Sequence, residues 1–528
     1  MDRDRDGARR RRRLIRAAAL AAALAACAGG KRDGADGPGL GRRVFEGPVR
    51  ALKGSSDGAW LAFLDGCNEV RGAQALPPGT ASCALRVVGA DGRAAREVAR
   101  AVTTLPYGFA WSPRGDVLAA LAEYDYVHGA GTLVVAQHGA EPAQVAEGVT
   151  FLSFVPGDGR ILAIAGGRLL SVVPGGAPEW FAGTDGLTSF EIHPGWGDRP
   201  GGVAALARRS AQGGGALLAV PAKGGAPAQV ALRTGDYAFA PGGRAYAFTV
   251  QASDGYELRL AAGGPPRIVA HRTHAFAFSP DGAAIAFVSE AEPGRQGNLH
   301  VASVGKPDVL VGREVGEFRW AARAARLAWL EAYDPRVRAG TLGAGAPGSA
   351  PRVYARNVSD FELSPDGKHV AFLQHTTRGG YSVDLAVAHL DAKGATAQAV
   401  AQGVFGFAYA PDGAWLYYRT RCTRNAEACD LERIPADGPA PGAKPELVAT
   451  AVKSFEFDPG DPGRLLVTWQ RMDMAALDLA VWEKGKLTRI DRAALPGSAQ
   501  FLRPDSRRIA YAVVDPKRAG VYVAELPR

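Results

Sequence analysis

A segment with the sequence FAFSPDGAAIAFVS, residues 276–289, constrains the fold of this chain more than any other feature. It places two apolar, alternating runs on either side of a turn, which is the pattern of a β-hairpin. Pro280 presets φ, and Asp281 and Gly282 supply the side-chain acceptor and the positive φ that tight turns use. Two close copies share this turn: residues 361–374, with Pro365, Asp366 and Gly367, and residues 407–420, with Pro411, Asp412 and Gly413.

The hairpin is one copy of a repeat that fills the chain. Eight weaker copies keep the order of aromatic strand, turn and second strand; they begin near residues 55, 109, 151, 190, 237, 318, 455 and 501. From the copy at 109 onward the mean spacing is about 43 residues, which is the length of a four-stranded propeller blade. A stacked β-solenoid would have shorter and stricter repeats.

The repeat predicts an all-β fold. Each copy offers alternating apolar rows on both faces of a small sheet, and a single four-stranded sheet cannot cover two such faces by itself. Radial packing of the sheets buries both faces and leaves only short edges exposed. The 68 Gly and 35 Pro residues agree with many turns. We therefore predict a β-propeller of about eleven four-stranded blades.

The Ser-Pro-Asp-Gly turn followed by an Ile-Ala-Phe-like strand resembles the repeat of the periplasmic TolB-like propellers, which is also found in the non-catalytic propellers of prolyl oligopeptidase relatives. The resemblance covers nearly all of the mature chain and implies a propeller more firmly than it implies a function. Eleven blades exceed the usual four to eight per ring. We expect two rings, at residues 44–317 and 318–528, with one oversized ring as the alternative.

The two ends of the repeat region are predicted to meet. After the last copy only one further strand follows, at 521–526, so the final blade lacks its fourth strand. The segment Val44 to Leu52 precedes the first copy and is expected to supply that strand.

The N-terminus reads as an export signal. Residues 1–26 contain eight Arg and three Asp and then an apolar run too short to span a bilayer. Leu24-Ala25-Ala26-Cys27 resembles the bacterial lipobox, which implies acylation of Cys27, a tether over 27–43, and an outer-membrane anchor facing the periplasm or the surface. The alternative is a plain signal peptide with an incidental Cys.

The charge of the chain does not point to nucleic acid. The formal net charge is +9, of which +5 belongs to residues 1–26. The remainder is an ordinary solvated surface, without a basic stripe interleaved with aromatic residues.

The four remaining cysteines fit an oxidising compartment. Cys67 and Cys83 bracket one turn-rich segment, and Cys422 and Cys429 bracket another. These spacings predict two disulfides across hairpins rather than a metal site built from CxxC pairs. Free thiols are the other alternative.

Signals for catalysis are weak. Residues 54–58 match GxSxG but align with the repeat turns, and residues 343–348 match GxGxxG but contain Pro347, which is incompatible with a phosphate-binding helix. His271 and His274 lack a third ligand nearby in sequence, so we expect no metal and no cofactor. Three glutamates share the middle position of their aromatic strands: Glu191, Glu362 and Glu456.

These observations favour a non-enzymatic envelope lipoprotein that binds or scaffolds a protein partner on a propeller face. The alternative is a propeller hydrolase or lyase with carboxylates or His around a central channel. Convergence of at least three titratable side chains would favour the enzyme.

Overall fold

The repeated turn joins antiparallel strands as the sequence predicts. Ala275–Phe278 pairs with Ala284–Ser289, with Phe276 opposite Phe287 and Phe278 opposite Ile285. The computed structural model describes residues 39–527 apart from 71–75, 139, 157–158, 197–198, 208–214, 222–225, 274, 291–295, 304–305, 307, 376–382, 392–396, 424–427, 441 and 471–475. Residues 40–528 form one compact unit.

We number the strands in chain order and call each four-stranded sheet a blade. The first blades along the chain contain these strands: blade 1, β2 (Val49–Gly54), β3 (Trp60–Glu69), β4 (Ala81–Gly89) and β5 (Arg96–Thr103); blade 2, β6 (Phe109–Trp111), β7 (Val117–Asp125), β8 (Ala130–Gln137) and the start of β9 (Ala143–Phe154); blade 3, the end of β9, β10 (Ile161–Ala165), β11 (Arg168–Val172) and β12 (Glu179–Trp180).

The next blades contain these strands: blade 4, β13 (Leu187–Trp196), β14 (Arg199–Ala207), β15 (Gly215–Pro221) and the start of β16 (Ala228–Phe239); blade 5, the end of β16, β17 (Tyr246–Ala252), β18 (Gly255–Ala261) and β19 (Arg267–Ala270); blade 6, β20 (Ala275–Phe278), β21 (Ala284–Ser289), β22 (Gly297–Ser303) and β23 (Asp308–Val315); blade 7, β24 (Glu317–Trp320), β25 (Leu327–Asp334), β26 (Ala339–Gly345) and the start of β27 (Arg352–Leu363).

The last blades contain these strands: blade 8, the end of β27, β28 (His369–His375), β29 (Val383–His389) and β30 (Ala397–Ala401); blade 9, β31 (Phe407–Tyr409), β32 (Trp415–Thr420), β33 (Cys429–Pro435) and β34 (Glu446–Val452); blade 10, β35 (Ser454–Asp458), β36 (Asp461–Gln470), β37 (Leu477–Glu483) and β38 (Lys486–Ala494); blade 11, β39 (Gln500–Leu502), β40 (Arg508–Val513), β41 (Gly520–Glu525) and β1 (Arg42–Glu46). The predicted all-β propeller fold is thereby confirmed, and the blade numbers are the names we use for its successive four-stranded segments.

The core lies between the blades. Ile285 and Phe287 of blade 6 pack against Ala247 and Leu258 of blade 5. A fully buried Ile, Leu or Phe side chain contributes roughly 1.5–3 kcal/mol. The stability of the fold therefore depends on contacts between neighbouring sheets.

These interfaces continue across residue 318 and around to the first blade. Val288 of blade 6 lies in one apolar cluster with Leu327 and Trp329 of blade 7. Leu502 of blade 11 lies in another cluster with Leu61 of blade 1.

The N-terminal strand completes the last blade, as predicted, but its limits differ from the prediction. β1 pairs antiparallel with β41, with Arg42 opposite Val523 and Glu46 opposite Gly520. The chain then bends at Gly47, where φ is +135°, and Pro48 has no N–H to donate. The expected strand Val44 to Leu52 is therefore divided: its start belongs to blade 11, and its end is the first strand of blade 1.

The connectors from one blade to the next share a second recurring feature, which the sequence repeat does not predict. At the end of the outer strand one residue has a positive φ and is followed by a buried Val or Thr. The left-handed residues are Ala101, Gly148, Arg233, Arg272, Glu314, Asn357, Gly403 and Ala451, and the buried ones are Val102, Val149, Thr234, Thr273, Val315, Val358, Val404 and Val452. The outer strands also shift register, for example between Leu299 and His300 in the β22–β23 pair. Such bulges bend an edge strand and protect it from unwanted pairing.

Candidate functional site

The topology gives the propeller two different faces. The turn face is formed by the links between the first and second and between the third and fourth strands of each blade. The loop face is formed by the links between second and third strands and by the connectors from one blade to the next. Since loops on a rigid scaffold usually carry function, we compare the two faces for a candidate site.

The turns that join first and second strands are built for packing. In the turn at Pro280, the Ser279 hydroxyl donates to the Asp281 carboxylate at 2.6 Å, and the Ala283 N–H donates to the same oxygen at 3.0 Å. These bonds lower the pKa of Asp281. A Cβ added at Gly282 would lie 2.7 Å from the Pro241 carbonyl of the preceding turn, so consecutive turns are in direct contact.

Hydrogen bonds to the turn aspartate recur at the other two predicted turns. The Ser364 hydroxyl donates to Asp366 at 2.7 Å, and the Ala414 N–H donates to Asp412 at 2.9 Å. The GxSxG match at 54–58 is also one of these turns, because the Ser55 hydroxyl and the Ala59 N–H both donate to the Asp57 carboxylate. The Ser56 hydroxyl donates to the carbonyl of Ser112 in the next turn. Ser56 therefore contributes to packing between blades 1 and 2.

The loop face varies and exposes apolar side chains. Eleven residues separate β3 from β4, whereas two separate β17 from β18. Exposed large apolar side chains on this face are Tyr107, Val127, Leu232, Val337 and Phe405, of which Val127 is 85% exposed. Where exposed apolar side chains form a contiguous patch, they mark protein-binding surfaces.

Both predicted disulfides are present and lie towards the loop face. Cys67 of β3 is bonded to Cys83 of β4, and Cys422 is bonded to Cys429 at the start of β33. Each bond joins the second and third strands of its blade next to the loop that links them.

The inner strands carry the polar residues that the sequence singled out. Glu191, Glu362 and Glu456 occupy corresponding positions but lie on blades 4, 8 and 10, so the structure does not bring the three carboxylates together. Glu456 is exposed and lines a cavity of about 40 Å³ with Leu466 and Leu479, which is room for little more than a water molecule.

The inner-strand cations bond to the next blade. The Lys53 ammonium of blade 1 donates to the Phe109 carbonyl of blade 2 at 2.7 Å and lies 4.4 Å from the centroid of its ring. Burial lowers the pKa of Lys53. Arg319 of blade 7 donates to the Phe361 carbonyl of blade 8 and to the Asp360 carboxylate at 3.2 Å.

Glu362 has the most perturbed carboxyl group on these strands. Burial raises its pKa to about 7, against the weaker opposing effects of the Tyr409 N–H and the Arg319 charge. Burial also raises the pKa of Tyr409, and the Tyr409 hydroxyl has no hydrogen-bond partner among the described residues. A carboxyl group of this pKa exchanges its proton near neutral pH, which is a property of general acids and bases.

The remaining candidates do not assemble a site. His271 is exposed, with Nδ1 3.7 Å from the Glu257 carboxylate, and His274 lies outside the described residues, as does Cys27. The GxGxxG match at 343–348 runs from β26 into the link to β27. Within the described ranges, no three His, Cys, Asp or Glu side chains are placed to hold a metal ion. In the same ranges we find no helix with the length and apolarity needed to cross a membrane.

Comparison with known proteins adds structures of low similarity. No protein-family model matches the chain, and no curated protein sequence matches it. A structure of a eukaryotic initiation factor covers 77% of this chain and 90% of its own, at 10% identity and a TM-score of 0.39. The Dos1 propeller covers 63% and 92%, at 9% identity and 0.35, and an oligogalacturonate lyase in complex with manganese covers 65% and 97%, at 14% identity and 0.31. At these scores the similarities carry no argument about function, and the propeller fold follows from the strand pairing.

Proposed function

We propose that this protein is a non-enzymatic, TolB-like lipoprotein of the bacterial cell envelope that binds a protein partner on its loop face. The observation that carries the proposal is the difference between the faces. The Pro-Asp-Gly turns pack against one another, whereas the loop face exposes Val127, Val337 and Phe405 and also carries the two disulfides. Apolar side chains held on a rigid scaffold suit a protein partner better than a small substrate.

We propose further that the blades form one closed ring. A sheet has two faces, and apolar clusters between consecutive blades cover both, including the cluster that joins blade 11 to blade 1. This arrangement favours the single-ring alternative over a division near residue 318.

The proposed subcellular location is supported by the N-terminal sequence and by the two disulfides. Cysteines in disulfides suit an exported protein, and Leu24-Ala25-Ala26-Cys27 resembles a lipobox. In this proposal Cys27 is acylated and the anchor lies in the outer membrane, with the propeller in the periplasm or at the surface. The expected result for Cys27→Ser is transfer of the protein to the soluble fraction; retention in the membrane would contradict the anchor.

An experiment on the native lipoprotein tests partner binding. Cells are cross-linked and the protein is gently solubilised. Its adducts are then compared among three proteins: the parent chain, a loop-face double variant with Val127→Asp and Phe405→Asp, and the single variant Val173→Asp. Val173 is 54% exposed but lies in a link between third and fourth strands, on the turn face, so it is the matched control. We expect the adduct to be lost only from the loop-face variant. Loss from Val173→Asp alone would place binding on the other face and contradict the proposal.

Glu362 supports the alternative of a propeller hydrolase or lyase. Its pKa of about 7 and the nearby Arg319 and Tyr409 provide an acid–base group, a cation and a hydroxyl. If the protein is such an enzyme, Glu362→Gln should abolish turnover and leave the cross-linked adduct unchanged.

A further inference from the structure

Blades 2 and 7 contain matching loops between their second and third strands. Residues 124–133 read YDYVHGAGTL and residues 333–342 read YDPRVRAGTL. The two segments share the leading Tyr-Asp and the closing Ala-Gly-Thr-Leu. They differ at the four residues between, which we call the tips: Tyr126–Gly129 and Pro335–Arg338.

The backbone of the two loops is the same at several points. Positive φ values occur at Glu123 (+46°) and Ala332 (+47°), and again at Gly129 (+65°) and Arg338 (+53°). A Cβ at Gly131 would lie 2.8 Å from a carbonyl of its own blade, and one at the matching Gly340 would lie 2.9 Å from one.

The turn hydrogen bonds also match. The Asp125 carboxylate accepts the Val127 N–H at 2.8 Å, and the Asp334 carboxylate accepts the Arg336 N–H at 2.8 Å. The two loops thus have the same backbone conformation, which we call the frame, and differ only in the sequence of their tips.

The tip of blade 2 is bonded to its surroundings. The Tyr126 hydroxyl donates to the Ala81 carbonyl at 2.8 Å, and His128 Nδ1 lies 2.5 Å from the Asp125 carboxylate. Gly129 takes its left-handed conformation without steric cost.

The tip of blade 7 is different. All four of its residues are exposed, and Val337 is 63% exposed between two arginines. None of the ion pairs among the described residues includes Arg336 or Arg338. Arg338 also adopts a left-handed conformation that costs a residue with a Cβ about 1 kcal/mol, where the matching loop has glycine. Folding alone would be served better by glycine.

The outer strands near this loop carry charges of both signs. Arg313 of β23 and Arg356 of β27 are exposed on the neighbouring outer strands. Among the acidic residues nearby, Asp334 accepts a bond within its own turn, Glu331 accepts the Trp329 indole N–H at 3.4 Å, and Glu314 is exposed.

We propose that Pro335–Arg338 is the principal contact for an acidic protein partner. Val337 enters an apolar recess of that partner, and Arg336 and Arg338 pair with carboxylates around the recess. Arginine suits this role because its planar guanidinium binds carboxylates with two parallel hydrogen bonds. The inference rests on the proposed function and specifies the chemistry of the partner.

The matching loop provides the test. In the full lipoprotein, p-benzoylphenylalanine replaces Val337 for photo-cross-linking in cells, and Val127 and Phe405 are probed in parallel. The Val337 probe is then combined with Arg336→Glu and Arg338→Glu. In a separate chain the tip Pro-Arg-Val-Arg is exchanged for Tyr-Val-His-Gly, which the same frame accommodates in blade 2. Cooperative thermal unfolding at or above the midpoint of the parent chain shows that each variant has folded.

We expect Val337 to give one adduct with an acidic protein, identified by mass spectrometry, and charge reversal to reduce it about tenfold or more. Binding of that purified protein to the parent chain should weaken with salt, and the tip exchange should abolish it. An adduct insensitive to charge reversal, or one with phospholipid alone, would overturn the inference. An adduct at Phe405 but not at Val337 would overturn it and leave the proposed function intact, whereas no adduct at any of the three positions would count against both.

Discussion

The turn face and the loop face are made by the same strands but differ, at particular glycines, in how closely the chain packs. A Cβ added at Gly58 or Gly282 on the turn face would collide with a carbonyl of the preceding turn. At Gly66 and Gly403, towards the loop face, an added Cβ would meet nothing within 4 Å. At these glycines the turn face holds neighbouring blades together. The loop face has crowded positions as well, at Gly131 and Gly340, but the links between its second and third strands vary freely in length. That freedom is what a binding surface needs.

The largest expected effect is at β1, the N-terminal strand that completes blade 11. A variant that begins at Pro48 lacks β1 and leaves the β41 edge unpaired and Val521 and Val523 less covered. We expect aggregation or loss of cooperative unfolding, because an open apolar edge invites pairing with other chains. Calorimetry and gel filtration measure both.

The control for this truncation is a variant that begins at Leu40, whose N–H donates to the Ile490 carbonyl. It should behave like the mature chain. Equal melting of both truncated proteins as monomers would show that β1 is dispensable.

The next effect compares one glycine from each face. Gly58→Ala would bring a Cβ to 1.8 Å from the Arg503 carbonyl at a φ of +67°, so blades 1 and 11 must separate. We expect a loss of about 3 kcal/mol or more in the free energy of unfolding, from overpacking together with backbone strain. Gly66→Ala, at a φ of +56° with open space around it, should cost only about 1 kcal/mol. Urea unfolding measures both, and equal losses would remove the distinction between the faces.

The disulfides test how much the loop face contributes to stability. Cys67 and Cys83 are 16 residues apart in sequence, and Cys422 and Cys429 are 7 apart. Replacing the first pair by Ser should cost about 3 kcal/mol and replacing the second about 2 kcal/mol, because the shorter loop loses less entropy on closure. Unfolding of the two double variants gives the order, and a larger loss for the second pair would argue against loop closure as the cause.

The architecture was predictable because its signals are local. A Pro-Asp-Gly turn between aromatic strands identifies a hairpin wherever it occurs, and its spacing gives the blade length. The missing strand after Leu526 indicated closure by the N-terminus. The limits of that strand were not predictable to the residue, since the break at Gly47 and Pro48 is a detail of one turn.

The connectors between blades were missed for a physical reason. Their left-handed residues include Glu314, Asn357 and Ala451, and only some are glycine, so the residue type does not reveal the conformation. The buried Val or Thr that follows was a usable signal, because in six of the eight connectors it lies three residues before the first aromatic residue of the next blade.

The environment of Glu362 was also beyond the sequence. Its position in an aromatic strand was evident, but its burial depends on contact with blade 9, far along the chain. The matching Glu456 is exposed, whereas partial burial also raises the pKa of Glu191, which occupies the third such position.

The smallest expected effect concerns the inner strands that connect the two faces, and it depends on pH. The pKa of Glu362 is raised from 4.5 to about 7 in the folded protein, so the folded state binds a proton more tightly than the unfolded state. The contribution of this proton to the free energy of unfolding is fully present below about pH 4.5 and is lost as the pH rises through about 7. Because the side chain is only partly buried, we expect the loss to be about 2 kcal/mol.

Glu362→Gln should therefore be more stable than the parent chain by about that amount at pH 8 and nearly equal to it at pH 4. Melting curves at the two pH values measure the difference, and Glu456→Gln, at the corresponding but exposed position, is the control. A lower stability of Glu362→Gln at pH 8 would contradict this prediction. It would show that contacts in the folded protein favour the charged carboxylate, and the inner strands would then be a candidate site for a cationic ligand.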